Sequence, residues 1–203
     1  MAETSNIAAI LLAAGLSTRM GQPKLILEWR DTTILGIVVS TLANAGIPDI
    51  IVVTGAFREQ LDRHIEQLSM DYPVRTVHNP AFKSGEMLSS VQTGLNAIQL
   101  PTKAALITLG DQPQIQGNTI FSILSAYQRS RSSLVIPSYR MHRGHPWLVA
   151  QILWPKVLGL TPPQTLRDFL EEHTKDIDYV PVDNDSILQD IDTPEDYTSS
   201  KPI

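Results

Sequence analysis

The segment from residue 12 to residue 24 combines small residues with two cations in the sequence LAAGLSTRMGQPK. Small residues let the backbone approach a ligand, and Gly15 permits backbone angles that other residues avoid. Successive N–H groups of such a loop can bind phosphate oxygens. Arg19 and Lys24 add the positive charge that neutralises a triphosphate. A glycine turn with two solvated cations would explain Gly15 alone, but the whole segment favours a triphosphate-binding loop.

Two carboxylates that are far apart in the sequence are candidates for a metal site. Asp111 follows an apolar run at 104–109, and Asp192 lies in the closing segment DIDTPED. Mg²⁺ binds few protein carboxylates and takes its other ligands from water and phosphate oxygens. Both residues also have a purely structural interpretation. Asp111 suits a turn before Gln-Pro, and Asp192 suits a helix N-cap before Thr-Pro.

Further polar residues lie near a predicted helix start at 84–85 and near the turn at 143–146. Ser89 and Ser90 could hydrogen-bond a base or a ribose, or they could cap and back-bond the helix, and Ser89 is the one we expect to contact the nucleotide. His145 is the functional candidate among the histidines, because a glycine and a proline hold it beyond a predicted strand. No metal-ligand spacing accompanies His145, so we expect it near a second substrate. The tryptophans are interpreted as packing residues: Trp29, Trp147 and Trp154.

Apolar runs typical of buried parallel strands alternate with amphipathic helices through most of the chain. The predicted strands cover residues 6–12, 50–53, 74–77, 104–109 and 134–137, separated by helices near 33–45, 57–68, 85–98 and 120–127. This β-α-β rhythm predicts a Rossmann-like, doubly wound, mostly parallel sheet with helices on both faces. Ligands bind at the carboxyl ends of the strands in such sheets, and the candidate loops follow strands.

The composition is that of an ordinary globular protein, with 203 residues, 42% hydrophobic and 18% charged. We therefore expect one domain over residues 1–203. A net charge of −5 argues against a nucleic-acid partner. The absence of cysteine excludes disulfides and thiolate chemistry. The start MAETSN lacks the cationic region of a signal peptide, and the apolar run at 7–16 is too short to span a membrane. We expect a cytoplasmic protein with no membrane partner.

Several short motifs occur together in a specific order and spacing. The loop at 12–24 is followed by Thr54-Gly55, by the segment NP…G…SS at 79–90, by LGDQP at 109–113, by RGHP at 143–146 and by DIDTPED at 190–196. Each motif alone is weak. Together they resemble the nucleotidyltransferases with a Rossmann-like fold, in the branch that contains molybdenum cofactor cytidylyltransferase and its guanylyltransferase relatives. The loop matches neither the P-loop nor the GxGxxG fingerprint.

This resemblance, which extends over nearly the whole chain, implies a Mg²⁺-dependent enzyme. Such an enzyme transfers a nucleotide to a phosphorylated acceptor and releases pyrophosphate. The resemblance implies Arg19, Lys24 and Asp111 as catalytic residues. It implies Asp111 and Asp192 as metal ligands, with Asp190 as the alternative to Asp192. The implied nucleotide-binding residues are Leu12, Ala13, Ala14, Gly15, Arg19, Lys24, Thr54, Gly55, Asn79, Gly85, Ser89 and Asp111.

The substrates follow from the same resemblance. Ala14 is typical of the cytidylyl branch, whereas the guanylyl branch has glycine there. The extra methyl leaves less space for a purine. One methyl can change the discrimination between two substrates by about 1–3 kcal/mol, so we expect CTP. The implied acceptor is the phosphate of molybdopterin, bound by the half of the chain at roughly 135–190 with His145 beside it. A molybdoenzyme or chaperone is the implied protein partner.

The segment LGLTPPQT at 158–165 departs from the Gly-Asp loop and Ala-Arg of that branch. This departure leaves a different phosphorylated acceptor, or GTP or another nucleotide, open. Two other classes of function are a non-catalytic molybdenum cofactor carrier or maturation protein, and a dinucleotide-dependent oxidoreductase. Lys24, Asp111 and Asp192 argue against a carrier, because binding alone needs no metal bridge at the α-phosphate. The missing GxGxxG fingerprint argues against an oxidoreductase.

Overall fold

A computed structural model describes residues 6–99 and 101–202 of the chain. The prediction that the first residues form no signal peptide concerns residues 1–5 and lies outside the described part. The strands are β1 (Ile7–Ala13), β2 (Glu28–Trp29), β3 (Thr32–Thr33), β4 (Asp49–Thr54), β5 (Val74–His78), β6 (Ala104–Leu109), β7 (Leu134–Tyr139), β8 (His142–Arg143), β9 (Trp147–Ala150) and β10 (Ile177–Pro181). The helices are α1 (Ile34–Asn44), α2 (Arg58–Leu68), α3 (Glu86–Ala97), α4 (Gly117–Ser130), α5 (Trp154–Gly159), α6 (Leu166–Glu172) and α7 (Pro194–Ser200).

One twisted sheet organises the molecule, with the strand order β10-β7-β9-β6-β1-β4-β5 and β8 paired to β7. The pairs β1–β4, β1–β6, β4–β5 and β7–β10 are parallel. Only β9 runs against both of its neighbours in that order, β6 and β7. Strands β2 and β3 form a separate small hairpin. The predicted Rossmann-like, mostly parallel sheet is confirmed.

The strand order reverses next to β1. After β1 the chain adds β4 and β5 on one side and then returns to place β6 on the other side. In doubly wound sheets this reversal opens a crevice at the carboxyl ends of the strands, where ligands bind. The loops after β1 and β6 both leave the sheet at this point. They are held together by a hydrogen bond from Gly110 N to Leu12 O at 3.0 Å.

Both faces of the sheet are covered by helices. One apolar cluster contains residues of α1, α2 and α4, and the other contains residues of α3, α5 and α6. Strand β1 shows the consequence, because Ala9 and Leu11 belong to the first cluster and Ile10 belongs to the second. Burial on both faces explains why these strands are continuous apolar runs rather than alternating patterns. In the described part of the chain, no helix is long and apolar enough to cross a membrane.

The C-terminal half departs from the regular alternation of strands and helices. The alternation ends after β7, where the chain inserts the antiparallel β9 and the short helix α5. An apolar four-residue strand has the same composition in either direction, so its sequence does not encode its antiparallel pairing. Helix α5 has six residues, which is too short for a helical period to be recognised. Residues of β9 and α5 pack in the same apolar cluster as residues of α3 and α6.

Candidate active site

Lys24 lies at the centre of an ion-pair cluster built from three distant segments. Its Nζ donates to Asp111 Oδ2 at 2.6 Å and to Asp192 Oδ1 at 2.8 Å. Lys24 begins a short 3-10 turn at Lys24–Ile26 and is buried, with 9% of its surface exposed. Asp111 follows β6, and Asp192 precedes α7. The fold therefore brings together the two carboxylates that the resemblance implied, although their role toward a metal stays a prediction.

Arg19 completes the cluster from the solvent side. Its guanidinium lies 2.8 Å from Asp192 Oδ2, so Asp192 binds one cation through each oxygen. The Arg19 side chain is 66% exposed, unlike that of Lys24. Exposed ion pairs contribute little to stability, so Arg19 can turn from Asp192 to a bound anion at small cost. The two cations thus differ in exposure.

The electrostatics keep this cluster charged at neutral pH. Burial lowers the pKa of Lys24, but the charges and hydrogen bonds of Asp111 and Asp192 outweigh burial and raise its pKa above the ordinary value. The hydrogen bond from Lys24 is the main reason that the pKa of Asp192 lies below its usual range, with a further contribution from Arg19. Lys24 therefore keeps its positive charge, and Asp192 its negative charge, at neutral pH.

Asp190, the alternative carboxylate, has a different environment. It accepts a hydrogen bond from Gln112 Nε2 at 2.7 Å. Burial, and then the charge of Asp111, raises the pKa of Asp190 above its ordinary value. No hydrogen bond or ion pair within the described residues joins Asp190 to Lys24. The geometry therefore favours Asp192 over Asp190 as the partner of Asp111.

The N-cap interpretation of Asp192 is wrong. The residue that caps α7 is Thr193, whose side chain accepts from the backbone N–H of Asp196. Asp196 in turn accepts from the backbone N–H of Thr193, which completes a capping box. The Asp192 side chain is thereby left available for Lys24 and Arg19. The cap fixes the backbone beside the carboxylate without using the carboxylate itself.

A cavity of about 290 Å³ lies over this cluster and is called here the phosphate cavity. It sits at the carboxyl ends of β1 and β6, where the strand order reverses. The loop turns sharply there, since Met20 N and Gly21 N both donate to Ser17 O at 3.1 Å. The cavity is lined by Leu12, Ala13, Gly15, Leu16, Ser17, Thr18, Arg19, Lys24, Leu25, Asp111 and Asp192.

A second cavity of about 350 Å³, the nucleoside slot, adjoins the first. The two share Leu12, Gly15, Leu16 and Asp111, so they form a continuous cleft. A mostly apolar slot with a few polar groups is the usual environment for a base and its ribose. The residues that line the slot but not the phosphate cavity are Ala14, Phe82, Glu86, Met87, Ser90 and Leu109.

Thr54 and Gly55 do not line these cavities. Thr54 is fully buried, and its hydroxyl lies 3.5 Å from the Val77 carbonyl oxygen. Gly55 packs against the loop, because a Cβ at position 55 would lie 2.5 Å from Ala14 O and 2.8 Å from Ala14 Cβ. Position 55 must therefore stay without a side chain for Ala14 to sit where it does. These two residues support the loop from behind.

Asn79 and Ser89 do not line the slot but contact residues around it. The buried Asn79 donates from Nδ2 to Ser89 Oγ at 2.8 Å and to Ser90 Oγ at 3.0 Å. Ser90 lines the slot, whereas Ser89 does not. Gly85 lies against Ser89, since a Cβ there would lie 2.3 Å from Ser89 Cβ. The sequence predicted the segment but favoured Ser89 over Ser90, because the helical turn decides which of two adjacent serines faces the cleft.

A third cavity of about 560 Å³ continues from the slot past Glu86 and Met87. It is called here the α3–α6 cavity. Its walls come from the start of α3, from α6 and the loop before it, and from two residues of the β8–β9 region. The lining residues are Ser84, Gly85, Glu86, Met87, Leu88, Arg143, Trp147, Pro162, Pro163, Gln164, Thr165, Leu166, Arg167 and Leu170.

The prediction that all three tryptophans are packing residues is wrong for Trp147. Trp29 and Trp154 are buried packing residues as predicted, but Trp147 lines the α3–α6 cavity. His145 is 8% exposed and stacks on Trp147, with ring centroids 4.3 Å apart and an interplanar angle of 16°. Burial lowers the pKa of His145 to about 4, so the ring is neutral at physiological pH. His145 therefore stands behind Trp147 and lines none of the three cavities.

Asp111 and Asp192 suit a divalent cation that arrives with a nucleotide. Both carboxylates lie within hydrogen-bond distance of one positively charged atom, Lys24 Nζ, so they converge on a single cationic position. Across residues 6–99 and 101–202, no group of three or more His, Cys, Asp or Glu side chains is arranged to hold a metal ion. Mg²⁺ commonly uses one or two protein carboxylates and completes its shell with phosphate and water oxygens. The donor set present fits that pattern.

The chain belongs to the MobA-like NTP transferase domain family, whose model matches residues 9–177. It is 31% identical over 204 aligned residues to the molybdenum cofactor cytidylyltransferase of Escherichia coli (strain K12), covering 97% of this chain and 96% of that one. It is 28% identical to the nicotine blue oxidoreductase of Paenarthrobacter nicotinovorans, covering 93% of each chain.

Solved structures share the fold. The crystal structure of Rv0371c from Mycobacterium tuberculosis H37Rv matches with a TM-score of 0.81 at 23% identity, covering 96% of each chain. A complex of Rv0371c with manganese matches with a TM-score of 0.76 at 22% identity, covering 97% of this chain and 98% of that one. Identity this low establishes the fold alone. The family match makes this chain a nucleotidyltransferase, while the differing names of the relatives leave its substrates to be inferred.

Proposed function

We propose that this chain transfers CMP from CTP to the phosphate of molybdopterin or the molybdenum cofactor, with release of pyrophosphate. The observation that carries the proposal is the cluster in which Lys24 joins Asp111 and Asp192 beneath the loop after β1. Transfer at an α-phosphorus requires cations for the triphosphate and carboxylates for a metal at one place. The 31% identity to a molybdenum cofactor cytidylyltransferase supports the choice of nucleotide and acceptor.

The reaction needs no general base, because the acceptor phosphate already carries negative charge. An acceptor oxygen attacks the α-phosphorus in line and forms a new P–O bond. The bond from the α-phosphorus to the bridging oxygen breaks, and pyrophosphate leaves with the electron pair. The N–H groups of Ala14 and Gly15 would bind phosphate oxygens, while Arg19 and Lys24 would neutralise the charge that develops on pyrophosphate. Catalysis in this scheme is positioning and charge neutralisation.

Asp111 and Asp192 would hold Mg²⁺, which would supply positive charge to the triphosphate. Lys24 Nζ lies between the two carboxylates. It would turn toward the triphosphate on binding, so that both carboxylates keep a cationic partner throughout. Manganese, found with the structural neighbour Rv0371c, accepts the same oxygen ligands.

The choice of CTP rests on the wall of the nucleoside slot. Ala14 lies in this wall, and its neighbour Gly55 leaves no room for Ala14 to retreat without moving the loop. A methyl group at this place reduces the space for a purine more than for a pyrimidine. The Ser90 hydroxyl is a polar group within the slot that a base edge could bind. GTP or another nucleoside triphosphate remains the alternative.

The acceptor half of the proposal concerns residues 135–190. In this half, His145 stacks on Trp147 and would position that side chain beside the acceptor. The departing segment at 158–165 forms part of the α3–α6 cavity, because Pro162 and Pro163 line it. A different phosphorylated acceptor is therefore the alternative to molybdopterin. A molybdoenzyme or its chaperone would receive the product.

The decisive experiment measures pyrophosphate release with CTP, GTP, ATP and UTP, each with and without molybdopterin. We expect rapid release with CTP and only when molybdopterin is present. Equal release from CTP and GTP would remove the cytidylyl assignment. Release that does not depend on molybdopterin would remove the acceptor assignment. No release under any condition would overturn the transferase proposal for this chain.

The oxidoreductase name of one relative is tested in the same reactions. Absorbance of NADH and NADPH would be followed with and without the acceptor. We expect no oxidation, because hydride transfer makes no use of a lysine held between two carboxylates beside a triphosphate loop. Oxidation that is lost on substitution of Ala14 or Gly15 would establish a redox function for the same cleft.

A further inference from the structure

We propose that Tyr197 is a positioning residue for the transfer reaction. Its hydroxyl holds helix α7 against the segment that follows Lys24, and this contact keeps the Asp192 carboxylate in place when a triphosphate binds. The inference rests on the proposed function, because it concerns the same site. Tyr197 directly follows the motif DIDTPED and lines none of the three cavities, so it acts only through other residues.

A short series of contacts joins Tyr197 to Lys24. The Tyr197 hydroxyl donates to Glu28 O at 2.7 Å. Its ring lies against the buried Trp29, with ring centroids 6.3 Å apart and an interplanar angle of 50°. Leu27, the residue before Glu28, donates from its backbone N–H to Lys24 O at 3.1 Å and closes the 3-10 turn. A hydrogen bond and an aromatic contact therefore fix α7 to the turn that begins at Lys24.

The first turn of α7 fixes the backbone of Asp192. Asp196 Oδ2 accepts from the backbone N–H of Asp192 at 3.1 Å and from that of Thr193 at 2.8 Å. On the other side of Asp192, the backbone N–H of Ile191 donates to Asp111 O at 2.9 Å. The backbone of Asp192 is thus held between α7 and the segment of the other carboxylate. A shift of α7 would therefore move Asp192 as well.

Few hydrogen bonds hold α7 against the rest of the molecule. Within residues 6–99 and 101–202, two hydrogen bonds join residues 193–202 to the chain before the motif DIDTPED, and both end on Glu28. One comes from the Tyr197 hydroxyl to the main-chain oxygen. The other is the ion pair of Lys201 with the Glu28 carboxylate, whose side chain is 73% exposed. Exposed ion pairs contribute little, so the Tyr197 hydroxyl is the main polar anchor of α7.

This anchor matters most when a triphosphate binds. Lys24 Nζ donates directly to Asp192 Oδ1 at 2.8 Å, and this ion pair also joins the two segments. In the proposed reaction Lys24 turns toward the triphosphate, which weakens the direct link. The hydrogen bond from Tyr197 ends on a main-chain oxygen, so it stays when the lysine side chain turns. The carboxylate then keeps its place without reorganisation during the reaction.

Calorimetric titration of the full chain with inorganic triphosphate, with Mg²⁺ present, tests the positioning role without the transfer reaction. Tyr197→Phe removes the hydroxyl and keeps the ring on Trp29. We expect it to weaken binding about fivefold, the usual effect of one uncharged hydrogen bond. Tyr179→Phe is the matched control, because Tyr179 is 41% exposed on the edge strand β10, and it should bind like the wild type. Equal binding by Tyr197→Phe and the wild type would overturn the proposal.

A double-mutant cycle separates positioning from a merely structural role. Independent effects add, whereas effects that pass through one network do not. If Tyr197 acts through the carboxylate, Tyr197→Phe should cause no further loss of triphosphate affinity in the Asp192→Asn variant. A second loss of about fivefold in the double variant would show that Tyr197 acts independently of Asp192, which contradicts the proposal.

Steady-state kinetics of pyrophosphate release give a further readout. Tyr197→Phe should raise the KM for the nucleotide about fivefold and leave the KM for the acceptor unchanged. Partial unfolding of the variant would instead lower kcat and leave both KM values unchanged, and that result would make Tyr197 a structural residue only.

The two proposals fail in different ways. If triphosphate binds and Tyr197→Phe weakens it as expected, but no nucleotide releases pyrophosphate, the transfer reaction is wrong and the positioning role stands. If pyrophosphate is released, but Tyr197→Phe matches the wild type in triphosphate affinity and in the KM for the nucleotide, the transfer reaction stands and the positioning role is wrong.

Discussion

The phosphate cavity and the α3–α6 cavity hold their charges in opposite ways. In the first, Lys24 is buried and bound by two carboxylates from distant segments. In the second, Arg143 is exposed and unpaired within the described residues, and much of the wall is apolar. The first cavity is therefore organised by electrostatic partners before any ligand arrives, whereas the second offers shape and free polar groups.

This difference predicts which substitutions should alter turnover and which should alter ligand selection. Removing one member of a partly buried ion cluster leaves another charge without its partner, and such losses cost more than the pair contributes. Changing the wall of an apolar cavity alters contacts in proportion to the surface lost. We therefore expect the largest effects on turnover in the phosphate cavity and smaller, ligand-specific effects elsewhere.

The largest effect is expected from Asp111→Asn, which removes a charge from a loop while keeping its volume. Turnover should fall roughly 10²–10³-fold or more, because a pre-organised charge at the reacting phosphate is lost. Asp192→Asn should behave in the same way, whereas Asp190→Asn, bonded to Gln112, should retain most activity. Pyrophosphate release and circular dichroism would be measured together. An inactive Asp190→Asn beside an active Asp192→Asn would reverse the assignment of the second carboxylate.

Lys24→Ala should raise the KM for the nucleotide and also lower kcat. Its charge would serve both the bound triphosphate and the departing pyrophosphate, so both parameters depend on it. We expect a loss of roughly hundredfold in kcat/KM. Lys201→Ala is the control, because Lys201 forms an exposed ion pair with Glu28 at 2.9 Å far along the chain. If both steady-state parameters stayed at wild-type values, Lys24 would be a structural cation only.

The next prediction concerns His145, which stacks on Trp147 in the wall of the α3–α6 cavity. Its pKa is lowered to about 4 by burial, whereas an unfolded histidine titrates near 6.5. The unfolded chain therefore binds a proton first, and folding stability should fall as pH drops from about 6.5 to about 4. The loss is about 1.4 kcal/mol per pH unit, or about 3 kcal/mol in all.

Urea unfolding at pH 7 and pH 4.5 would measure this dependence. His145→Gln should be less stable than the wild type at pH 7, because it loses the stacking on Trp147, but should lose less stability on acidification. His142→Gln, an exposed residue on the neighbouring hairpin, is the control and should follow the wild type. Equal acid sensitivity of His145→Gln and the wild type would contradict a buried neutral imidazole.

The same contrast explains how much of the molecule could be predicted from its sequence. The parallel strands and the loop of Lys24 follow from local patterns, because apolar runs and glycine-containing turns are encoded by adjacent residues. The pairing of Asp111 with Asp192 required the resemblance, since no local signal joins segments so far apart. The role of Trp147 could not be predicted, because its exposure depends on how the short elements β9 and α6 pack.

The nucleoside slot could be predicted from the sequence only in part. Ala14 could be recognised from the loop motif, but the constraint on it from Gly55 comes from packing between loops after β1 and β4. Ser89 was favoured over Ser90, because both fit the motif and only the helical phase separates them. Single-residue assignments near a helix start are therefore less reliable than the segment itself.

The smallest predicted effect concerns the preference for CTP over GTP in the nucleoside slot. With Ala14 in the wall, the wild type should prefer CTP over GTP in kcat/KM by roughly tenfold or more, the scale that one methyl can deliver. Ala14→Gly should narrow this gap by making room for a purine. Competition between the two nucleotides at saturating acceptor measures both values.

Ala14→Gly need not invert the preference. A slot that hydrogen-bonds the base edge leaves its own polar groups unpaired with the wrong base, and that cost exceeds the effect of one methyl. Ser90 Oγ, held by Asn79 at 3.0 Å, is the group in the slot placed to make such a contact. Ser90→Ala should therefore narrow the gap further than Ala14→Gly, and Ser89→Ala should change it less. The opposite order of the two serine variants would return base recognition to Ser89.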